Sequence, residues 1–250
     1  MFDRQKQHDR FLQRAKNLQT TTYNQPRIIT YYLLAASLAG ERGRVEIWQQ
    51  IGVNLTRLAK GPLQQPVDWL ALSFFRRATR HGDLRQRGAI RRDQAELLSK
   101  LGRFDEAREH LHLSVKNLIE ADDKDGLNLT RIVRGVVYCR WANNLSAETS
   151  HRERFSLLSN AHDSLTRALS EIPIQSQAMD HQRLLALLWL ADVCLALYEI
   201  EPEHFWLEAT DDAAQQAQWL ARGTAGSAHH QERAIRQIQK VAHYEDATCG

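Results

Sequence analysis

Apolar residues recur along this chain at three- and four-residue spacing, interrupted at intervals by Gly, Pro and short polar runs. That rhythm predicts helices joined by tight turns. It is clearest in Ala95–Val115: Leu97, Leu98 and Leu101 share one side of a helix, Gly102 can adopt the left-handed conformation that ends it, and Phe104, Asp105 and Glu106 open a second helix. Ala107, Leu111 and Ser114 then put small residues on the seam, so the two helices can approach closely as an antiparallel hairpin. The same reading gives helices over roughly 2–20, 26–39, 44–60, 62–80, 84–101, 104–120, 127–143, 150–171, 176–199, 202–222 and 228–243, with Ala121–Gly126 as an acidic loop. Alternating β-branched segments are missing, so no strand is predicted.

One hairpin cannot bury its apolar face alone, and similar ones follow. Trp48, Ile51, Gly52 and Leu55, then Ala71, Phe75 and Ala78, match the two-helix pattern W-x2-LG-x2-Y and A-x3-F-x2-A. Gly135 and Tyr138 fit a first helix, Ala161, Leu165, Ala168 and Pro173 a second, and Leu187, Leu190, Ala191 and Cys194 with Ala213, Ala217 and Leu220 a further pair. These stretches resemble the tetratricopeptide repeat (TPR). The resemblance implies an all-α fold: a right-handed superhelical array of antiparallel hairpins, about 11 helices in one domain. Residues 1–40 would be a capping hairpin, 44–222 about four hairpins, and 227–244 a closing helix. The small first-helix residues Gly52, Ala95, Gly135 and Ala191 stand 43, 40 and 56 residues apart, longer than the family's usual ~34. Such spacing is similar to that of repeats attached to bacterial transcription activators and quorum-sensing regulators, which implies a regulatory role.

In the family, first helices line a groove that grips a peptide or protein. Carried onto this chain, the groove takes Gln49, Val53 and Arg57 from the first hairpin and Arg92, Glu96 and Lys100 from the second. Ile132, Val136 and Arg140 come from the third, and Leu188 and Asp192 from the fourth. The expected partner is a protein segment with acidic and apolar residues. The paired asparagines with which some TPR proteins clamp a carboxylate are replaced by Val53, Glu96 and Val136, so that clamp is not expected.

Composition alters this picture mainly through charge. The 250 residues are 43% hydrophobic and carry a net +3, an ordinary globular balance. Residues 1–142 nevertheless hold 25 Lys and Arg against 15 Asp and Glu, whereas residues 143–250 hold 8 against 15. Between Arg76 and Arg92 the basic residues Arg76, Arg77, Arg80, Arg85, Arg87 and Arg91 meet one acid, Asp83. This cluster reads as a solvated helix face, as an attractant for an acidic protein, or as a nucleic-acid contact, the last disfavoured because no aromatic residues are interleaved. A homo-oligomer joining basic and acidic halves is a further alternative.

Candidate chemistry is sparse. His110 and His112 are two apart and point to different sides of a helix, and His229–His230 with Glu232 has no third ligand at useful spacing. No phosphate loop, nucleophile elbow, zinc motif or CxxC pair occurs, so neither enzymatic activity nor a cofactor or metal is expected. The three cysteines have no paired spacing. The polar N-terminus carries no secretory pattern, and the apolar run Leu184–Tyr198 is short for a membrane span and contains Asp192. The expectation is therefore a cytoplasmic, non-enzymatic adaptor or sensor without membrane association.

Overall fold

A computed structural model describes residues 4–21, 25–58, 64–146, 151–173, 179–223 and 228–249. The described residues form eleven helices and no strand. These are α1 (Arg4–Thr21), α2 (Gln25–Leu38), α3 (Glu41–Leu58), α4 (Gln64–His81), α5 (Leu84–Lys100), α6 (Phe104–Glu120), α7 (Lys124–Asn144), α8 (His151–Glu171), α9 (Asp180–Tyr198), α10 (His204–Gly223) and α11 (Ala228–Cys249). They divide into two compact units, Met1–Gly126 and Leu127–Gly250. The turn expected between the helices over 44–60 and 62–80 lies outside the described residues.

In the first unit each helix packs on the next, and α3 also touches α5. The α5–α6 corner forms for the reason the sequence suggests. Gly102 has φ +75°, its N–H donates to Ser99 O at 3.2 Å, and the Arg103 N–H donates to Leu98 O at 2.9 Å, which is the Schellman closure. The α6–α7 corner repeats the device with Asp122 at φ 50°, and Asp123 N donates to Leu118 O at 3.0 Å. Asp123 Oδ1 then accepts from Gly126 N at 3.0 Å, so helix begins at Lys124, inside the acidic stretch read from sequence as a loop. At the start of α5, Asp83 and Gln86 exchange backbone hydrogen bonds as a capping box.

Small residues set the interhelical approach. A Cβ on Gly52 would lie 2.6 Å from the Phe75 ring, and one on Gly88 would lie 2.5 Å from Leu118 Cγ. Ser114 Oγ donates to the Gly88 carbonyl at 2.7 Å across the same seam.

In the second unit α8, α9 and α10 pack in succession, α10 packs on α11, and α11 also meets α9. Gly135 of α7 faces Leu165 of α8, whose Cγ would be 2.5 Å from a Cβ placed there. Arg131 is paired with Glu171, and Arg134 Nε donates to Ser164 Oγ at 2.9 Å. By length and composition α9 could cross a membrane, yet 61% of it is buried within this unit, where Leu184, Leu188, Val193 and Leu197 are core. Cys139 and Cys194 are free and buried, and burial raises both thiols to about 12. Chain end α11 runs past the boundary anticipated near His243, to Cys249.

One core position in the first unit is electrostatically unfavourable. Asp68 is 2% exposed and its Oδ1 has no partner. Burial raises its carboxyl above the ordinary range, opposed by a hydrogen bond from Gln64 at 3.3 Å and by the charge of Lys100. Because the folded-state value is raised, the ionised carboxylate costs stability at neutral pH, and that cost fades as pH falls through the raised value and vanishes below the unfolded one. Asp68→Asn is expected to raise Tm at pH 7 and to lose that advantage under acid, measured by thermal melts across pH. A lower Tm for the variant at pH 7 would contradict this assignment.

Candidate functional site

Helix geometry gives α5 two working sides in the first unit. Asp93, Glu96, Leu97 and Lys100 fall on one stripe, and Arg87, Arg91 and Gln94 on another. Each stripe borders a cleft.

The first cleft, of about 220 Å3, lies where α3 and α5 meet above Phe75. Val53, Thr56 and Arg57 form one wall, and Asp93, Glu96, Leu97 and Lys100 the other. Lys100 Nζ lies 3.0 Å from Glu96 Oε1 across one turn. Gln49 Nε2 donates to Asp93 Oδ2 at 2.8 Å, tying α3 to α5. Arg92 donates to the other Asp93 oxygen, from Nη2 at 3.1 Å and Nε at 3.3 Å. The structure thus brings Val53, Arg57, Glu96 and Lys100 together, while Gln49 and Arg92 hold Asp93 instead of facing the opening. Asp93 was missed in the sequence. Its signal was the stripe itself, since it stands three and seven residues before Glu96 and Lys100.

The second cleft, of about 430 Å3, is bounded by α4, α5 and α6. Arg76 and Arg80 come from α4, Arg87, Arg91 and Gln94 from α5, and His110 from α6, with Thr79 completing the lining. Among the described residues no carboxylate lines it. Arg91 Nε, Gln94 Oε1 and His110 Nδ1 are buried without a hydrogen-bond partner, and Gln94 is 2% exposed. Burial, and then the charge of Arg87, disfavours protonated Arg91. His110 is held below its ordinary value first by burial and then by Arg91, with Arg76 and Arg103 adding to the effect and Glu106 opposing it. Glu106 is itself engaged by Arg103. Two members of the sequence cluster go elsewhere. Arg77 lies 5.4 Å over the Trp48 ring, and Arg85 Nε is 2.8 Å from Asp123 Oδ2. Gln94 and His110 were not singled out as cleft residues, although Arg87, Arg91 and Gln94 at i, i+4 and i+7 mark one helix face.

The predicted residues of the second unit sit differently. Ile132 and Val136 are buried, and Leu188 is wholly so. Asp192 is paired with Arg233, and Gln237 Nε2 donates to Asp192 Oδ1 at 2.6 Å and to Leu188 O at 2.8 Å. Arg140 and Arg233 approach the Trp189 ring at 5.4 and 4.5 Å. This stretch of α9 is therefore engaged by α11, a partnership that separations of 41 to 49 residues hid from the sequence.

Among the described residues no group of three or more His, Cys, Asp or Glu side chains could hold a metal ion. The His229 and His230 rings lie 3.7 Å apart, tilted by 42°, with His181 5.9 Å from His230, whose pKa falls to about 4 through burial and then its neighbours' charge. Neither a scan against protein-family models nor a search of curated proteins finds a match for the chain.

Proposed function

We propose that this chain is a TPR-like, non-enzymatic binding module, its hairpins arranged as a superhelical array, that grips a protein segment bearing acidic and apolar residues. The observation that carries this reading is the α3–α5 cleft, in which Val53, Thr56, Arg57, Glu96 and Lys100 converge from two helices whose first residues, Glu41 and Leu84, stand 43 positions apart. Alternate-helix contacts, α3 with α5 and α9 with α11, support the array, since first helices of successive hairpins must touch if they are to line one face. Asp93 is held by Gln49 and Arg92, and Glu96 by Lys100, whereas Arg57 has no ion pair among the described residues; with Val53, Phe75 and Leu97 as an apolar floor, an acidic residue placed at Arg57 and flanked by an apolar one is the complementary ligand.

The test is a peptide array probed with the full chain and with the double variant Arg57→Glu, Lys100→Glu. Binding of acidic-apolar peptides should fall at least about tenfold, because a like-charge meeting across an interface costs well over 1 kcal/mol. If every recovered peptide binds the double variant as it binds the wild type, the reading fails.

A further inference from the structure

We infer that the α4–α5–α6 cleft is a second binding site, for a phosphate-class anion, distinct from the protein-binding cleft and independent of that reading. Arg76, Arg80, Arg87 and Arg91 converge there from two helices, and among the described residues no carboxylate lines the space between them. Among the described residues none of the four forms an ion pair, whereas Arg85, Arg92, Arg103 and Arg108 of the same unit all do. Four like charges held together are mutually repulsive, and a protein surface that needs them only for solubility would spread them apart.

The floor of the cleft separates a built site from a solvated basic face. Gln94 is almost completely buried, yet its amide oxygen has no partner, and the buried Arg91 Nε and His110 Nδ1 are likewise unsatisfied. Native interiors seldom leave three such atoms around one space, because each has given up its hydrogen bonds to water without a replacement. A bound tetrahedral anion accepts from Arg91 Nε, from His110 in the neutral tautomer that carries its proton on Nδ1 and, with the amide turned, from Gln94 Nε2, while Arg76, Arg80 and Arg87 close over its outer oxygens. Guanidinium groups match phosphate bidentately, and four positive charges around one space suit a multiply charged tetrahedral anion better than a singly charged carboxylate.

A single-stranded nucleic acid would also bring phosphates. Among the described residues no Phe, Tyr or Trp lines the cleft, the one ring there being His110, and its floor is one local pocket rather than a track along which successive bases could stack. The terminal or diphosphate group of a small ligand, or a phosphorylated side chain, fits better.

The experiment is calorimetric titration of the full chain with inorganic pyrophosphate at low salt, with a phosphoserine peptide and a short single-stranded RNA as separate arms. Saturable one-to-one binding of pyrophosphate is expected, weakened at least about tenfold by Arg87→Glu, whose side chain is exposed in the fold, and also weakened by Gln94→Leu. Arg57→Glu with Lys100→Glu should leave it unchanged, so failure here and failure of the protein-binding reading are distinguishable. Tighter binding of the phosphopeptide than of its unphosphorylated form would support the proposal and identify a modified protein as the source; equal binding of the two forms together with pyrophosphate binding would support it with a free small anion as the source. Pyrophosphate heat no greater than that of sodium chloride at equal ionic strength, binding unaffected by Arg87→Glu, or RNA binding stronger than pyrophosphate with a salt slope of several phosphates would each overturn it.

Discussion

Gly88→Val should destabilise the protein by about 3 kcal/mol, more than an ordinary surface change and opposite to what helix propensity alone favours. Replacing a mid-helix glycine by almost any residue favours an isolated helix by a few tenths to about 1 kcal/mol. Here the added Cβ would stand 2.5 Å from Leu118 Cγ and 2.7 Å from Cδ2, closer than carbon atoms pack. Leu118 is fully buried and cannot swing into solvent. The Ser114 hydroxyl, 2.7 Å from the Gly88 carbonyl, holds the two backbones at this separation. Relief must come from parting α5 and α6, which opens the most extensively packed pair of the first unit. Leu118→Ala alone should cost about 2–5 kcal/mol. Combined with Gly88→Val it should cost less than the sum, with a coupling of roughly 1–3 kcal/mol, since the cavity of one change accommodates the methyls of the other. Urea unfolding of the four proteins measures the cycle, and strict additivity would show that the contact does not limit the helix approach.

Phe75→Ala should cost about 3–5 kcal/mol, the largest single loss expected from the α3–α5 cleft. Phe75 is 1% exposed, and its ring passes over Gly52, with three ring atoms 2.6–2.9 Å from where a Cβ would stand. Removing the ring leaves a hole beneath Val53 and Leu97, so peptide binding should weaken with stability. The partner position makes the test specific. Gly52→Ala is expected to destabilise the wild type, because its methyl would meet the ring, and to stabilise the Phe75→Ala background by up to about 1 kcal/mol, where helix propensity acts unopposed. A Gly52→Ala effect of the same sign in both backgrounds would contradict this packing.

How much of this was legible beforehand differs between fold and site. Gly102 announced its corner because only a residue without Cβ takes φ +75° at little cost, a strictly local property. Gly52 and Gly135 announced close helix approach, and they do face Phe75 and Leu165, since spacing along a helix fixes which positions share a face. Gly88, which serves the same purpose against Leu118, drew no notice because it falls outside the repeat pattern that gave the other two their meaning.

The functional surfaces were less legible. Arg76 through Arg92 read as one basic run, yet the fold sends Arg77 to Trp48 and Arg85 to Asp123, and gathers Arg76, Arg80, Arg87 and Arg91 around Gln94 and His110. Asp192, expected in a groove, instead pairs with Arg233 of α11. By itself, then, the sequence determined where helices lie and carry their apolar stripes, the start of α7 and the end of α11 excepted, because those depend on residues within a few turns of one another. Only the tertiary structure decided which charges meet acids, which meet rings and which stay together unneutralised. A long side chain's partner depends on helices far apart in the chain, and no spacing rule along a single helix encodes that.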